Sequence, residues 1–245
     1  MRNYFIFNGV DSRDFGVYIS GSGRVTIPEK AFEFIEIPGQ HGDTLLNGAA
    51  RVRNEVITYP AFISPYNDNG IPVDFSEMAG RLRAWLMSVN GYAELTDSYD
   101  PAHYRRACFT GPTDFEITRK LDAGSFEIAF NCRPQRYTND DETYTLGVGD
   151  SMTFDKCGFF YSAPLISAEG AGSFSVGDQT VTIAQSALTY PIYIDSLLMD
   201  CYDSLGVNAN LYVSFSDYEY PRIADGTTIT ATDMMIHVEP RWYEL

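Results

Sequence analysis

The sequence predicts a mainly β protein in two domains: an α+β N-terminal domain with one helix packed on a β-sheet, and a C-terminal β-sandwich. Three observations carry this. Tyr and Phe, at 17 and 16 residues against 2 Trp, join β-branched residues and Gly in favouring strands as the main material. Helical periodicity is visible in one stretch only, from about Asp74 to Asn90. The charge is also uneven: of a net −16, the part up to Arg136 holds 14 basic and 17 acidic residues and the part beyond it 3 and 16. That step, beside the polar stretch Tyr137 to Glu142, places a linker there and domains at 1–136 and 137–245. With 245 residues, 44% of them hydrophobic, two cores can be filled and global disorder is excluded.

Taken in order, Tyr4 to Phe7 reads as a strand closed by Asn8-Gly9, then a polar turn at Asp11 to Asp14 and a strand from Phe15 to Ile19. Ala31 to Ile37 reads as a further strand stopped by Pro38-Gly39, followed by a turn-rich loop that holds His41 and Asn47-Gly48. A lone histidine in such a loop fits a solvated residue better than a metal ligand. Arg51 to Tyr59 alternates, with Val52, Asn54, Val56 and Thr58 on one face and Arg53, Glu55, Ile57 and Tyr59 on the other. One of these faces is mostly wet.

The helix carries its own boundary signals. Asp74 can cap the amide of Glu77 while Glu77 reaches back, an acidic capping box. Phe75, Met78, Ala79, Leu82, Trp85, Leu86 and Val89 share one face, and Arg81, Arg83 and Ser88 take the other. Asn90-Gly91 is the expected stop, because Gly accepts a left-handed conformation. Tyr92 to Leu95 then re-enters the sheet, and Leu95-Thr96-Asp97-Ser98-Tyr99-Asp100-Pro101 turns the chain into a strand from Tyr104 to Phe109. Phe115 to Arg119 and Ser125 to Cys132 form a hairpin across Leu121-Asp122-Ala123-Gly124, with Phe126, Ile128 and Phe130 on one face. Arg133-Pro134-Gln135-Arg136 is expected to end it, since Pro lacks the ladder donor.

Beyond the linker, short strands recur between turn residues: Met152–Phe154, Leu165–Ser167, Gly172–Val176, Thr180–Ile183, Tyr190–Asp195, Leu198–Tyr202, Leu211–Phe215, Thr227–Thr230 and Met234–Val238. Two packed antiparallel sheets are the simplest arrangement for so many short strands.

Chemistry is hard to find in this sequence. Asp97 and Asp100 beside Tyr99 form the best acidic cluster, and a carboxylate pair is the minimum equipment for glycoside hydrolysis. Three residues apart on a tight turn, they fit solvated or amide-capping roles better. Asp195, Asp200, Asp203 and Asp217 are scattered and lack a dense calcium loop. Ala168-Glu169-Gly170-Ala171-Gly172 lacks the Lys and Ser/Thr of a phosphate loop and reads as a turn. No HExxH or GxSxG occurs. Cys108, Cys132, Cys157 and Cys201 are widely spaced with no CxxC pair; two disulfides are open arithmetically, and buried free thiols fit better. Catalytic, metal and cofactor-binding residues are therefore expected to be none, and the chain is not expected to be an enzyme. The acidic charge disfavours nucleic-acid binding, and the absence of a signal-length or membrane-length apolar run predicts a soluble protein made in a cytoplasm. Phe159-Phe160-Tyr161, Tyr212, Tyr218 and Tyr220 could instead form a stacking platform for sugars, the basis of an alternative function as a carbohydrate-binding module for host wall polysaccharide; aromatics in a sandwich are more often core.

Four stretches in order give a resemblance. Phe5-Ile6-Phe7-Asn8-Gly9-Val10-Asp11-Ser12 with Asp14-Phe15-Gly16-Val17, Ile37-Pro38-Gly39-Gln40-His41-Gly42, Leu95 to Pro101, and Phe130-Asn131-Cys132-Arg133-Pro134-Gln135 resemble the distal tail protein of siphovirus-type bacteriophages, those with long non-contractile tails. Tyr193 to Ser196, Asp200 to Asp203, Tyr220-Pro221-Arg222 and Glu239 to Leu245 extend the resemblance more loosely. It implies a virion structural protein at the distal end of the tail: a homo-oligomeric, hexameric ring around a channel for DNA, joining the tail tube protein to tail-tip or tail-associated proteins. It also implies a ring-forming first domain and a galectin-like second one, with no room for an inserted sugar-binding arm and with the last residues open to packing back on the first domain.

Overall fold

The computed structural model describes residues 2–21, 27–46, 51–64, 66, 72, 74–111, 116–118, 123–139, 142–156, 160–185 and 188–245. Asn47-Gly48, Phe115, Arg119, Leu121, Asp122, Cys157 and Phe159, singled out above, lie outside these residues. The protein is mainly β, with one α-helix among the described residues, and it divides into two compact units, Met1–Arg136 with Leu245, and Tyr137–Glu244.

In the first unit, a sheet runs in the order Val10–Asp11, Phe5–Phe7, Ala93–Asp97, His103–Phe109, Ala123–Thr138, and Glu55–Ile63 then pairs with Ala123–Thr138 and with Val17–Ile19. A bridge from Asn3 to Ile19 brings the last of these strands back beside the first, so the sheet curls around its core. Alternation decides which side chains enter. Along Glu55–Ile63, Tyr59, Ala61 and Ile63 are buried while Val56 stays exposed, and the facing strand supplies Phe126, Ile128 and Phe130.

Phe75–Ser88 is the helix, and Met78, Leu82, Trp85 and Leu86 are its buried residues. Asp74 Oδ1 accepts from the amides of Ser76 at 2.8 Å and Glu77 at 3.4 Å, satisfying two donors at its start. Trp85 stacks on Phe15 at 4.6 Å and on Phe5 at 5.8 Å, so the helix is anchored to the first strand through its largest side chain. Burying each Leu on this face contributes about 1.5–3 kcal/mol. The C-terminal end differs from expectation: the cap is Val89 in an extended conformation, and Gly91, with φ of 101°, lies beyond it in the turn. The Ser88 hydroxyl instead satisfies one of the last carbonyls by donating to Trp85 O at 2.7 Å.

Five further expectations are corrected. Phe15 ends a short 3-10 helix, Ser12–Phe15, and the strand starts at Val17. Gly16, at φ of 63°, closes that turn by donating to Arg13 O. Ala31 to Ile37 is not one strand. It divides into Lys30–Ala31, paired with Arg51–Val52, and Phe34–Ile35, paired with Thr44–Leu45. Pro134 does not end its strand, which continues to Thr138 through the expected linker and buries Tyr137. The reason is register: pairing with Glu55–Ile63 ends at Cys132 opposite Glu55, so the missing Pro134 donor breaks no bond in that ladder. Finally, Leu198-Met199 forms the turn before Asp200–Asp203, and Leu211-Tyr212 belongs to a 3-10 helix.

The second unit holds two five-stranded antiparallel sheets. One runs Tyr144–Leu146, Ile236–Glu239, Leu165–Ala168, Ile192–Asp195, Asp200–Asp203; the other runs Ser151–Thr153, Thr228–Ala231, Gly172–Val176, Gln179–Ile183, Val213–Phe215. Their inward residues form one core that includes Ile166, Ile194 and Val238 from the first sheet and Phe174, Val181 and Ile229 from the second. Gly172 is required by space as well as by its φ of 148°, because a Cβ there would stand 2.8 Å from Asp233 Cβ. Trp242, 2% exposed, completes this core against Phe154.

Candidate functional site

The acidic turn is a closed structural device. Asp97 Oδ1 accepts from the amides of Tyr99 at 2.8 Å and Asp100 at 3.0 Å, and Oδ2 accepts from the Tyr59 hydroxyl at 2.6 Å. Asp100 takes the ring nitrogen of His103 at 2.8 Å and the guanidinium of Arg136 at 2.7 Å. Partial burial pushes the Asp100 carboxyl up, but the bonds from His103 and Arg136 outweigh it and hold it below the ordinary range. Burial, followed by the neighbouring Asp97 charge and bond, raises the Tyr59 hydroxyl well above its ordinary value. A glycosidase needs one carboxyl raised to serve as general acid, and the bonds from His103 and Arg136 move Asp100 the other way. These groups fasten the turn to the strands at Tyr59 and Arg136.

Beside this device lies a buried ion pair. Glu55 bonds Arg105, with side chains 3% and 15% exposed, and the second carboxylate oxygen of Glu55 is buried with no hydrogen-bond partner. Burial raises the Glu55 carboxyl against the pull of Arg105. Cys132 is close enough to feel both charges, and burial pushes its thiol up to about 12. Cys201 is pushed up to about 11, again by burial. Both thiols stay protonated at neutral pH and are inert as nucleophiles. Cys108, Cys132 and Cys201 are free.

The scattered acids of the second unit are also absorbed locally. Both oxygens of Asp195 accept from Arg241 Nη1 at 3.1 Å, and Oδ1 also accepts from the amides of Leu197 and Leu198 at 3.0 Å. Asp203 accepts from the amides of Leu205 and Val207 at 2.8 Å, and these backbone bonds lower its carboxyl. Asp200 serves Asn210 at 2.7 Å, and Asp217 serves Gln179. Among the described residues, no group of three or more His, Cys, Asp or Glu is placed to hold a metal ion, and no helix is long and apolar enough to cross a membrane. Glu169 to Ala171 is a turn between strands.

The aromatic residues singled out for sugar stacking do not form a platform. Phe160 and Tyr220 pack against the core, Tyr161 meets Tyr243 at 6.0 Å, and Tyr212 and Tyr218 are exposed.

What the first unit does expose is an apolar ribbon. Lys30–Ala31 pairs with Arg51–Val52 and Phe34–Ile35 with Thr44–Leu45, both antiparallel, with Gly39 and Gly42 between the second pair at φ of 87° and 81°. Every residue from Phe32 to Asp43 is exposed, His41 at the turn among them. Ile27 is 87% exposed, Phe34 63% and Leu46 61%, with Phe32, Ile35, Ile37 and Leu45 at about 40%. An isolated two-stranded ribbon is marginal in water, and exposed large apolar side chains gathered on one short segment are the kind of surface that protein contacts use. The sequence signal was Phe32, Phe34, Ile35 and Ile37, apolar side chains on both faces of a short segment. Those residues fit the single strand expected from Ala31 to Ile37, and nothing in their order tells which face is covered.

No protein-family model matches the chain, and no curated protein matches it significantly. Solved structures do. The SPP1 Dit protein (gp 19.1), described as a paradigm of the hub adsorption apparatus of phages infecting Gram-positive bacteria, matches at a TM-score of 0.71 and 13% identity, over 100% of this chain and 99% of that one. A chain of the phage P2 baseplate in its activated conformation with Ca matches at 0.60 and 10% identity, over 98% of each chain. The corresponding structure with Sr matches at 0.58 and 10% identity over the same shares. Both units of this chain therefore share the fold of phage tail-hub and baseplate proteins.

Proposed function

We propose that this chain is the structural hub of a phage tail tip: a distal tail protein that forms a hexameric ring around a DNA-passing channel and joins the tail tube to tail-tip proteins. In this reading it is a virion component with a galectin-like second domain, and it is not an enzyme. The observation that carries it is the end-to-end fold match to SPP1 Dit, which spans both units. Two physical features support it. A ring needs head-to-tail contacts between two different faces of one protomer, and the exposed ribbon from Ile27 to Leu46 is an apolar contact surface in the first unit. A channel that passes a genome should not hold phosphate, which suits a chain of net charge −16.

Light scattering and negative-stain microscopy of the purified protein across a concentration series test this reading. Rings or ring-sized oligomers are expected, together with capture of the tail-tip protein made by the same phage. A strict monomer that neither assembles alone nor binds that tail-tip protein would overturn it.

A further inference from the structure

The second unit exposes large apolar side chains along one sheet edge. Leu198, Met199, Leu205, Val207 and Leu211 are each at least half exposed, Leu211 at 94%. Scattered singly, such residues would need no explanation, but register gathers these. Asp200–Asp203 is the last strand of its sheet, and the chain turns after it and returns alongside, with Tyr202 bridged to Asn208 and the Ala209 amide donating to Cys201 O at 2.7 Å. The same register sets Asn210 beside Asp200, where its side-chain amide donates to Asp200 Oδ1 at 2.7 Å. Leu211 therefore follows on the side of Met199. Leu205 and Val207 stand at the other end of the strand, about 10 Å away by strand rise.

The polar side chains of this edge are bound to its own backbone. Asp195 holds the amides of Leu197 and Leu198, Asp203 holds those of Leu205 and Val207, and Asn210 Oδ1 accepts from the Cys201 amide at 2.8 Å. Each turn thus satisfies its amides internally and leaves its apolar side chains in water, the opposite of a solvated loop. Met199 does so at φ of 54°, a left-handed conformation that a non-glycine residue rarely takes. Turns already fixed in this way lose little freedom when a partner covers them. Charge decides what kind of partner fits. From Cys157 to Pro221 there is no Lys or Arg against seven Asp and Glu, and Arg241 is held by Asp195 and Glu239. A second copy would bring like charge to this edge, whereas a basic surface is drawn to it. We propose that the edge docks a basic segment of another protein, whose apolar side chains cover Leu198, Met199 and Leu211 while its Lys and Arg face the surrounding carboxylates. The proposal concerns the second unit alone and is independent of the hub reading.

The full chain should be titrated by calorimetry with three synthetic amphipathic peptides: one with a Leu face and a Lys face, one with Glu in place of Lys, and one with Ser in place of Leu. The Leu/Lys peptide is expected to bind at least about tenfold more tightly than either of the others and to slow hydrogen exchange between Leu197 and Tyr212. Met199→Ser with Leu211→Ser should weaken it by at least about tenfold, while Val148→Ser, on an exposed residue elsewhere in the unit, should leave it unchanged. Thermal melts verify folding, and if the double variant is unfolded then Leu211→Ser alone decides. No binding of the Leu/Lys peptide at about millimolar concentration, equal binding of either comparison peptide, or binding that survives the substitutions overturns the site. Sedimentation of the wild type and the variant without peptide should give the same size; a smaller variant would make the occupant a second copy and overturn the proposal as well. Ring formation and tail-tip capture, on which the hub reading stands, are measured without these peptides.

Discussion

The helix Phe75–Ser88 and the ribbon from Ile27 to Leu46 are both rich in large apolar side chains, and they meet opposite fates. The helix turns Met78, Leu82, Trp85 and Leu86 inward, where Trp85 stacks against Phe15 and Phe5. The ribbon has its own ladder bonds, such as Leu46 N to Glu33 O at 2.9 Å and Arg53 N to Glu29 O at 2.8 Å, yet leaves Phe34 and Leu46 in water. Apolar content alone therefore does not separate a core element from a contact surface. The helix has a period that puts its apolar groups on one side, whereas the ribbon has apolar groups on both sides and only one partner strand.

The contrast can be broken most directly from the helix side. Leu82→Ala should lower unfolding free energy by about 2–5 kcal/mol, the cost of a cavity at a residue 1% exposed. Urea unfolding followed by tryptophan fluorescence reads this, and a loss below about 1 kcal/mol would mean that the helix is not part of the core. Asp74→Ala, which removes only the cap on Ser76 and Glu77, should cost about 1 kcal/mol in the same assay.

The turn that follows the helix gives a smaller effect that depends on pH. Asp100 is lowered from its ordinary 3.8 in the folded state, so its contribution is complete above that value and is lost as pH falls through the folded value. Between about pH 7 and pH 3, the wild type should lose more stability than Asp100→Asn, as read from paired urea midpoints. Equal losses would mean that the bonds to His103 and Arg136 add nothing.

The ribbon should show the least change in stability and the greatest in size. Phe34→Ser with Leu46→Ser should shift unfolding by no more than about 0.5 kcal/mol per site, as for surface positions, while light scattering falls towards the monomer. A large stability loss with unchanged size would make the ribbon a core element like the helix.

Much of this was legible because it is local. The helix face from Phe75 to Val89, the Asp74 cap, the alternation around Tyr59, and the hairpin face of Phe126, Ile128 and Phe130 follow from periods within a few residues of chain. So do most strands of the second unit, of which Gly172–Val176 has the bounds that the turn signals predict. The carboxylates of Asp97 and Asp100 were expected to cap or be solvated, and Asp97 does cap its own turn.

The rest depends on register, which joins residues far apart in sequence. Arg136 meets Asp100 across 36 positions and Arg105 meets Glu55 across 50, and no spacing in the chain announces either pair. The strand runs through Pro134 because the neighbouring ladder has already ended there. The amino-acid sequence by itself determined the helix, its capped start and most of the strand segments, since those follow from side-chain period and backbone preference. Only the tertiary structure decided which apolar faces are covered and which polar groups meet, because both depend on how distant strands align.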